Sequence, residues 1–268
     1  MSNEIITSLI NPKIKNVLKL QKFSERKNQN LIVIEGMREL GLAVGAGFKI
    51  ETLFFCKEAS TISLNEVINK LAVSEKVVFE VSKAVFAKMA YREDSDGIIA
   101  LAQPKQLKLS DLKLSKNPLI LILEAVEKPG NLGAVLRTAD AANADAVIVC
   151  DERTDFYNPN AIRSSVGCVF TTQVVAAKTD DVIKYLKEKN IKSYAALLSD
   201  SSKAYHHFDY TKPTAFVMGT EAVGLTDKWQ KAADEHIIIP MSGKIDSLNV
   251  SNATAILTFE AKRQRDFK

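Results

Sequence analysis

"LILILEAV", residues 119–126, decides the fold. Five aliphatic residues run without a polar interruption and stop at an acid. Strict alternation would mark a strand with one wet face; a continuous apolar run of this length marks a strand buried on both faces, as in a parallel sheet covered by helices. Similar short runs recur downstream: "DAVIVC" (145–150), "CVFTTQVVA" (168–176), "KSYAALL" (192–198), "TAFVMG" (214–219) and "HIIIP" (236–240). Helical patterns lie between them, including "LGAVLRTADAAN" (132–143) and "TDDVIKYLKEKN" (179–190), and a last helix runs from about Val250. This alternation predicts a doubly wound, mostly parallel sheet over residues 118–268.

Upstream, residues 31–105 form another alternating block. Strands are predicted at "LIVIEG", "IETLFFC", "KVVFEVS" and "DGIIALAQ", and helices at "MRELGLAVGAG", "LNEVINKLAV" and "KAVFAKMAYRED". The pattern is that of a small α/β domain. Between the two blocks, "QPKQLKLSDLKLSKNP" (103–118) carries two prolines and many lysines and serines, which places a linker at 106–117. The fold class is therefore α/β, with a small N-terminal domain and a larger C-terminal one.

The net charge of +4 is concentrated at the start. Residues 1–30 hold Lys13, Lys15, Lys19, Lys22, Arg26 and Lys27 against Glu4 and Glu25, so the remainder is balanced. Leu9, Ile10, Ile14, Val17, Leu18 and Leu20 share the segment, which predicts an amphipathic helix with one basic side, either contacting phosphate or simply solvated. No run approaches the ~18 apolar residues of a membrane span. The N-terminus has no secretory pattern, and Cys56, Cys150 and Cys168 are widely spaced within apolar runs. The expectation is a cytoplasmic protein with buried thiols and no metal site.

Ligands of open parallel sheets bind beyond the carboxyl ends of the strands, and three loops there stand out. In "EAVEKPGNLGAVLRTAD" (124–140), Asn131 is placed to cap the following helix, and Arg137 follows one and a half turns later. A guanidinium there suits an oxygen anion. The loop lacks the GxGxxG dinucleotide fingerprint, and no acid stands at the matching spacing, which disfavours a nicotinamide-dependent oxidoreductase. In "FVMGTEAVGL" (216–225), Gly219 and Gly224 bracket Glu221; the segment reads equally as an ordinary strand-to-helix turn. In "IIIPMSGKIDSLNVSNATAIL" (237–257), Ser247, Asn249 and Ser251 crowd in front of a helix that needs one cap. With Ile239, Met241 and Leu248 they suit a flat ligand with polar edges.

Together, "NLGAVLRTA", "GTEAVGL" and "IPMSGKIDSLNVSNATAI" resemble, in order and spacing, the three motifs of the SpoU (TrmH-like) family of RNA ribose 2′-O-methyltransferases. "NPNAIRSSVG" (158–167) resembles a segment found between the first two motifs. Residues 31–100 are similar to the substrate-binding domain that precedes the catalytic domain in ribosomal RNA members. The resemblance implies a deep trefoil knot in the C-terminal domain, whereas pattern alone gives an unknotted sheet. It also implies S-adenosylmethionine as cofactor, no metal, an RNA substrate with ribosomal RNA favoured over transfer RNA, and a homodimer through the C-terminal domain. By motif match it carries cofactor contacts onto Gly219, Ile239 and Leu248, with Met241, Leu197 and Gly224 beside them. It carries catalytic roles onto Arg137, Asn131, Glu221, Ser247 and Asn249. Thr220 stands where the family usually has Asn, and Ala222 where Gly is common.

The family scheme makes Arg137 the general base. A guanidinium has a pKa above about 12, so a phosphate clamp that stabilises the developing alkoxide is the alternative. His206 and His207, adjacent in "AYHHFDY", make a poor metal pair and read as a surface loop; Tyr157 and Asn158 are placed on the RNA side. A non-catalytic RNA-binding protein that kept the fold is the competing class.

Overall fold

The computed structural model describes residues 5–93, 95–151, 155–220, 224–245 and 247–267. The chain divides into two compact units, Met1–Lys105 with Tyr157–Thr171, and Gln106–Phe156 with Thr172–Lys268.

The first unit opens with two short helices, α1 (Pro12–Lys19) and α2 (Phe23–Gln29), where the sequence predicts one amphipathic helix. Ile14, Val17 and Leu20 are fully buried, but Leu9 and Ile10 precede α1 and are exposed. Arg26 is not part of a basic face. It is buried, and its guanidinium donates to the carbonyls of Leu20 and Gln21 at 2.7 Å each, satisfying the carbonyls left over where α1 ends. There follow β1 (Ile32–Glu35), α3 (Met37–Gly45), β2 (Ile50–Phe55), α4 (Leu64–Leu71), β3 (Val78–Glu80), α5 (Lys83–Met89) and β4 (Ile98–Ala102). The sheet order is β1-β4-β2-β3, with β4 antiparallel to both neighbours and β2 parallel to β3. Helix α5 stops at Met89, short of the predicted "AYRED", because the amides of Tyr91 and Arg92 turn to the Glu35 carboxylate at 2.7 and 3.3 Å.

The second unit contains β5 (Leu119–Glu124), α6 (Pro129–Ala141) and β6 (Ala146–Cys150). The chain then returns to the first unit as α7 (Pro159–Ser164) and α8 (Cys168–Thr171), which pack on β1 and α3. The expected strand "CVFTTQVVA" is thus half helix. Gly167, at φ +85, sits so close to Leu42 and Glu39 that a Cβ would lie 2.8 Å from Leu42 Cδ1, and the chain can become extended only after this docking. The second unit resumes with β7 (Val174–Ala177), α9 (Thr179–Glu188), β8 (Lys192–Ala196), β9 (Lys203–Ala204), β10 (Thr214–Met218), α10 (Asp227–Ala232), β11 (Glu235–Ile238) and α11 (Val250–Gln264).

The order β7-β6-β5-β10-β8-β11-β9 is parallel at every pairing. All six residues of β5 and all five of β6 and β10 are buried, as the continuous apolar runs require. Residues 106–117 do not hang free. Leu107 bridges Val175, and Leu109, Leu112 and Leu114 pack partly buried against the core of this unit.

The amino ends of β5 and β10 are clamped by one residue just past α11. Arg265 Nε donates to Tyr210 O at 2.8 Å, Nη1 to Asn117 O at 2.9 Å, and Nη2 to Lys212 O at 2.6 Å. Gln264 adds a bond to the Phe208 carbonyl and accepts from the Tyr210 amide. The flat, multi-donor guanidinium suits such a ring of carbonyls; an ammonium does not span it. Arg265→Ala is expected to destabilise the second unit by about 2–4 kcal/mol, and Arg265→Lys to recover less than half of that, in urea unfolding followed by Trp229 fluorescence. An unchanged midpoint for the alanine variant would show that the clamp does not hold α11.

Candidate functional site

The carboxyl ends of β8, β10 and β11 open into a cleft of about 520 Å³. Its floor is the end of β10. Gly219 comes so close to the next turn that a Cβ would lie 2.3 Å from the carbonyl carbon of Gly224, so only glycine fits. Thr220 and Gly224 exchange both backbone hydrogen bonds, N–H of Thr220 to O of Gly224 at 3.1 Å and the reverse at 3.0 Å. Gly224 has φ +68, which favours glycine. Glu221, which the sequence places within this turn, lies outside the described residues.

All six expected cofactor residues line the cleft: Leu197, Gly219, Gly224, Ile239, Met241 and Leu248. Ser247 lines it too. Asn131 and Asn249 meet beside it, Asn249 Nδ2 donating to Asn131 Oδ1 at 3.2 Å. The local role of Asn131 differs from the expectation, while Asn249 is one of the expected caps. Lys128, not Asn131, stands at the N-cap of α6; Pro129 takes the first helical position, and Asn131 falls inside the first turn. Asn249 is the cap of α11, its Oδ1 accepting from the Ser251 amide at 2.9 Å and hydroxyl at 2.6 Å. One amide side chain thus starts a helix with its oxygen and ties two loops with its nitrogen. Arg137 lies exposed on α6, is not part of the cleft lining, and makes no hydrogen bond or ion pair with the described residues.

Sequence reasoning missed Glu124. This last residue of β5 is 1% exposed. It accepts from the Thr226 amide at 2.7 Å, the Thr226 hydroxyl at 2.8 Å and the Thr179 hydroxyl at 3.2 Å. It therefore anchors the chain where the glycine turn runs into α10. The available signal was an acid ending an otherwise apolar strand; a carboxylate is not buried there without partners.

Elsewhere, Asn158 caps α7, and the Tyr157 hydroxyl donates to Lys105 O while its ring packs on Phe48 and Phe170. His206 and His207 stand edge to face on an exposed turn, 4.4 Å between ring centres. Among the described residues no cluster of His, Cys, Asp or Glu could hold a metal ion.

Residues 118–259 match the SpoU rRNA Methylase family, and residues 11–100 match the MRM3-like substrate binding domain. The first match alone spans more than half of the chain. The chain belongs to the SpoU rRNA methylase family. A solved RNA 2′-O ribose methyltransferase is 38% identical, with 98% of this chain and 99% of that one covered and a TM-score of 0.84. An AdoMet-bound rRNA methyltransferase from Sinorhizobium meliloti superposes at TM-score 0.88 with 30% identity, covering 97% of each chain. The 23S rRNA (guanosine(2553)-2′-O)-methyltransferase RlmP of Bacillus subtilis is 28% identical over 96% of this chain and 98% of its own length. Described residues of the second and third motif segments line one cleft; the first meets them through the Asn131–Asn249 hydrogen bond, and Arg137 stands exposed on α6.

The thiol of Cys150 is fully buried. The Cys150 side chain, at the end of β6, is pushed up from 9.0 to about 12, first by desolvation and then by the neighbouring Glu124. The folded state keeps this proton while the unfolded thiol ionises above about 9. The stabilisation is whole below pH 9 and is lost as pH rises toward 12, at up to about 1.4 kcal/mol per unit from this group. Cys150→Ala is expected to flatten the fall in the urea midpoint between pH 8.5 and 10.5. Parallel curves for the two proteins would contradict this.

Proposed function

We propose that this chain transfers a methyl group from S-adenosylmethionine to a ribose 2′-hydroxyl of ribosomal RNA. The observation that carries the reading is the cleft at the carboxyl ends of β8, β10 and β11. Two motif loops line it, the first is tied to the third beside it by the Asn131–Asn249 bond, and a glycine brings the backbone close enough to leave a flat slot. The cofactor fits what is present. The volume of about 520 Å³ lies within the range of small-molecule sites. Leu197, Ile239, Met241 and Leu248 offer apolar faces, while backbone amides and carbonyls of Gly219, Ile239 and Leu248 offer hydrogen bonds at the edges.

Bound there, the sulfonium supplies an already electrophilic methyl, so the protein has to align, not activate, that carbon. In the in-line displacement the ribose oxygen forms the new C–O bond as the S–CH₃ bond breaks and a neutral thioether leaves. The hydroxyl proton must depart at the same time. The role of Arg137 is to hold an RNA phosphate and stabilise the developing alkoxide, with the proton passing to a phosphate oxygen or water. The paired amides of Asn131 and Asn249, with Ser247 on the lining, orient the sugar, and Glu221 joins them from the glycine turn.

Residues 31–105 serve as the RNA-binding domain and 118–268 as the methyltransferase domain. The connection from β11 to α11 is read as the crossing of a deep trefoil knot. Most of the described residues of this connection are exposed, while Ile239, Met241 and Leu248 are partly buried where they line the cleft. Phe259, 42% exposed on α11, supports a homodimer through this helix. Cytoplasmic residence follows from the substrate; no helix among the described residues is long and apolar enough to cross a membrane.

With methyl-labelled S-adenosylmethionine and unmodified ribosomal RNA, Arg137→Ala and Arg137→Lys are both expected to lower kcat about 100-fold or more, with cofactor affinity by titration calorimetry within twofold of wild type. Lysine fails because it is a point charge without the planar fork. Near-normal turnover in the lysine variant, or no calorimetric heat from wild type with the cofactor, would overturn the assignment.

A further inference from the structure

One wall of the cleft is held by a side chain outside it. Strand β8 ends at Ala196, and Leu197 and Leu198 then line the cleft, Leu198 being 83% exposed. The next residues, Ser199 to Ser202, form a tight turn before β9. Its bonds are mostly internal: Ser202 N–H to Ser199 O at 3.0 Å, Ser202 Oγ to Leu197 O at 2.8 Å, and the Ser199 hydroxyl within 3.0 Å of those of Ser201 and Ser202. The two ends of the turn are fixed by the pairing of β8 and β9 with β11, which leaves its tip at Ser199–Ser201 to be placed by side chains.

The tip is held by His236. Its Nδ1 lies 2.9 Å from Ser201 Oγ and 3.4 Å from Ser199 Oγ. Its Nε2 lies 2.9 Å from the carbonyl oxygen of Gln230 in α10. A carbonyl only accepts, so Nε2 carries the proton and Nδ1 accepts from the serine hydroxyl. His236 also immediately precedes Ile237–Met241, the opposite wall of the cleft. A single ring thus joins the Leu197–Leu198 wall, the β11 wall and the helix that follows the glycine turn, without itself lining the cleft. Backbone pairing joins these walls too: β11 pairs with β8 as far as Ile237 and Ala196, and with β9 at Lys203 and Ala204, and Leu197 N–H donates to Ile237 O at 3.2 Å.

We infer that His236 is a positioning residue. By fixing the serine turn against β11 and α10 it sets the width of the apolar mouth, and so the affinity for the methyl donor, without taking part in the transfer. This rests on the cleft being the S-adenosylmethionine site. Removing the ring leaves the ends of the turn anchored by β11 but releases its tip, so Leu197 and Leu198 lose part of their fixed packing against the ligand. The cost falls on binding in ground state and transition state alike, raising KM with kcat unchanged.

The test is titration calorimetry with S-adenosylmethionine, alongside steady-state kinetics on ribosomal RNA. His236→Ala is expected to raise the cofactor Kd and KM about fivefold to tenfold, with kcat at saturating cofactor and RNA affinity within twofold of wild type. Ser201→Ala should move the same constants in the same direction by about threefold, and adding it to His236→Ala should cost little more, since both break one link. His236→Asn, which keeps an acceptor near Nδ1, should recover part of the affinity. Unchanged cofactor affinity in His236→Ala, additive effects in the double variant, or an equal fall in kcat and thermal stability would overturn the inference. Wild-type protein that takes up no cofactor would instead overturn the site assignment beneath it.

Discussion

A backbone contact at the end of β10 governs the chemistry of this protein. Gly219 lies against Gly224 at a distance that excludes any side chain, and the two-bond pairing of Thr220 with Gly224 closes the turn upon itself. The contact exists because β10 is driven into the middle of a sheet buried on both faces. It is supported from below by Glu124, whose carboxylate holds Thr226 where the turn becomes α10. The energy of the fold is in the apolar strands; the precision of the site is in a few backbone approaches at their carboxyl ends. The clamp of Arg265 on the opposite end of the sheet completes the frame, fixing the far end of α11 while Asn249 fixes the near end.

The division of labour within the cleft follows from charge. Among the described residues its lining is neutral. A sulfonium cofactor needs little electrostatic help to bind and would be opposed by a nearby cation. Arg137 stands outside the lining, exposed on α6, and in the proposed reaction has an RNA phosphate to hold. The serine turn and His236 add a third tier, acting on the walls and not on the ligand.

Much of this was legible in the residues. Strands buried on both faces announce themselves as unbroken aliphatic runs, which is why β5, β6 and β10 were found in place. Gly219 and Gly224 mark their turn because glycine substitutes for space. Other features left no local trace. Arg265 looks like one more basic residue in "AKRQR", and only the meeting of carbonyls from residues 117, 210 and 212 gives it a role. Arg26 counted as surface charge until it was seen to serve the end of α1. "CVFTTQVVA" has strand composition throughout, yet its first half is helical because Gly167 docks on α3, a contact between residues more than 120 apart in sequence. Asn131 looked like a cap because it precedes an apolar helix, but Pro129 starts that helix earlier and releases the Asn131 amide for Asn249. Long-range contacts decide each of these, and periodicity does not encode them.

The central claim is that backbone closeness at Gly219 makes the cofactor slot. Titration of S-adenosylmethionine into Gly219→Ala tests it most directly, with circular dichroism as the check on folding. A methyl group there must push the Gly224 turn outward, so the account predicts a folded protein whose cofactor affinity falls by at least about tenfold, or 1.4 kcal/mol. A folded Gly219→Ala protein that binds the cofactor as tightly as wild type would contradict it.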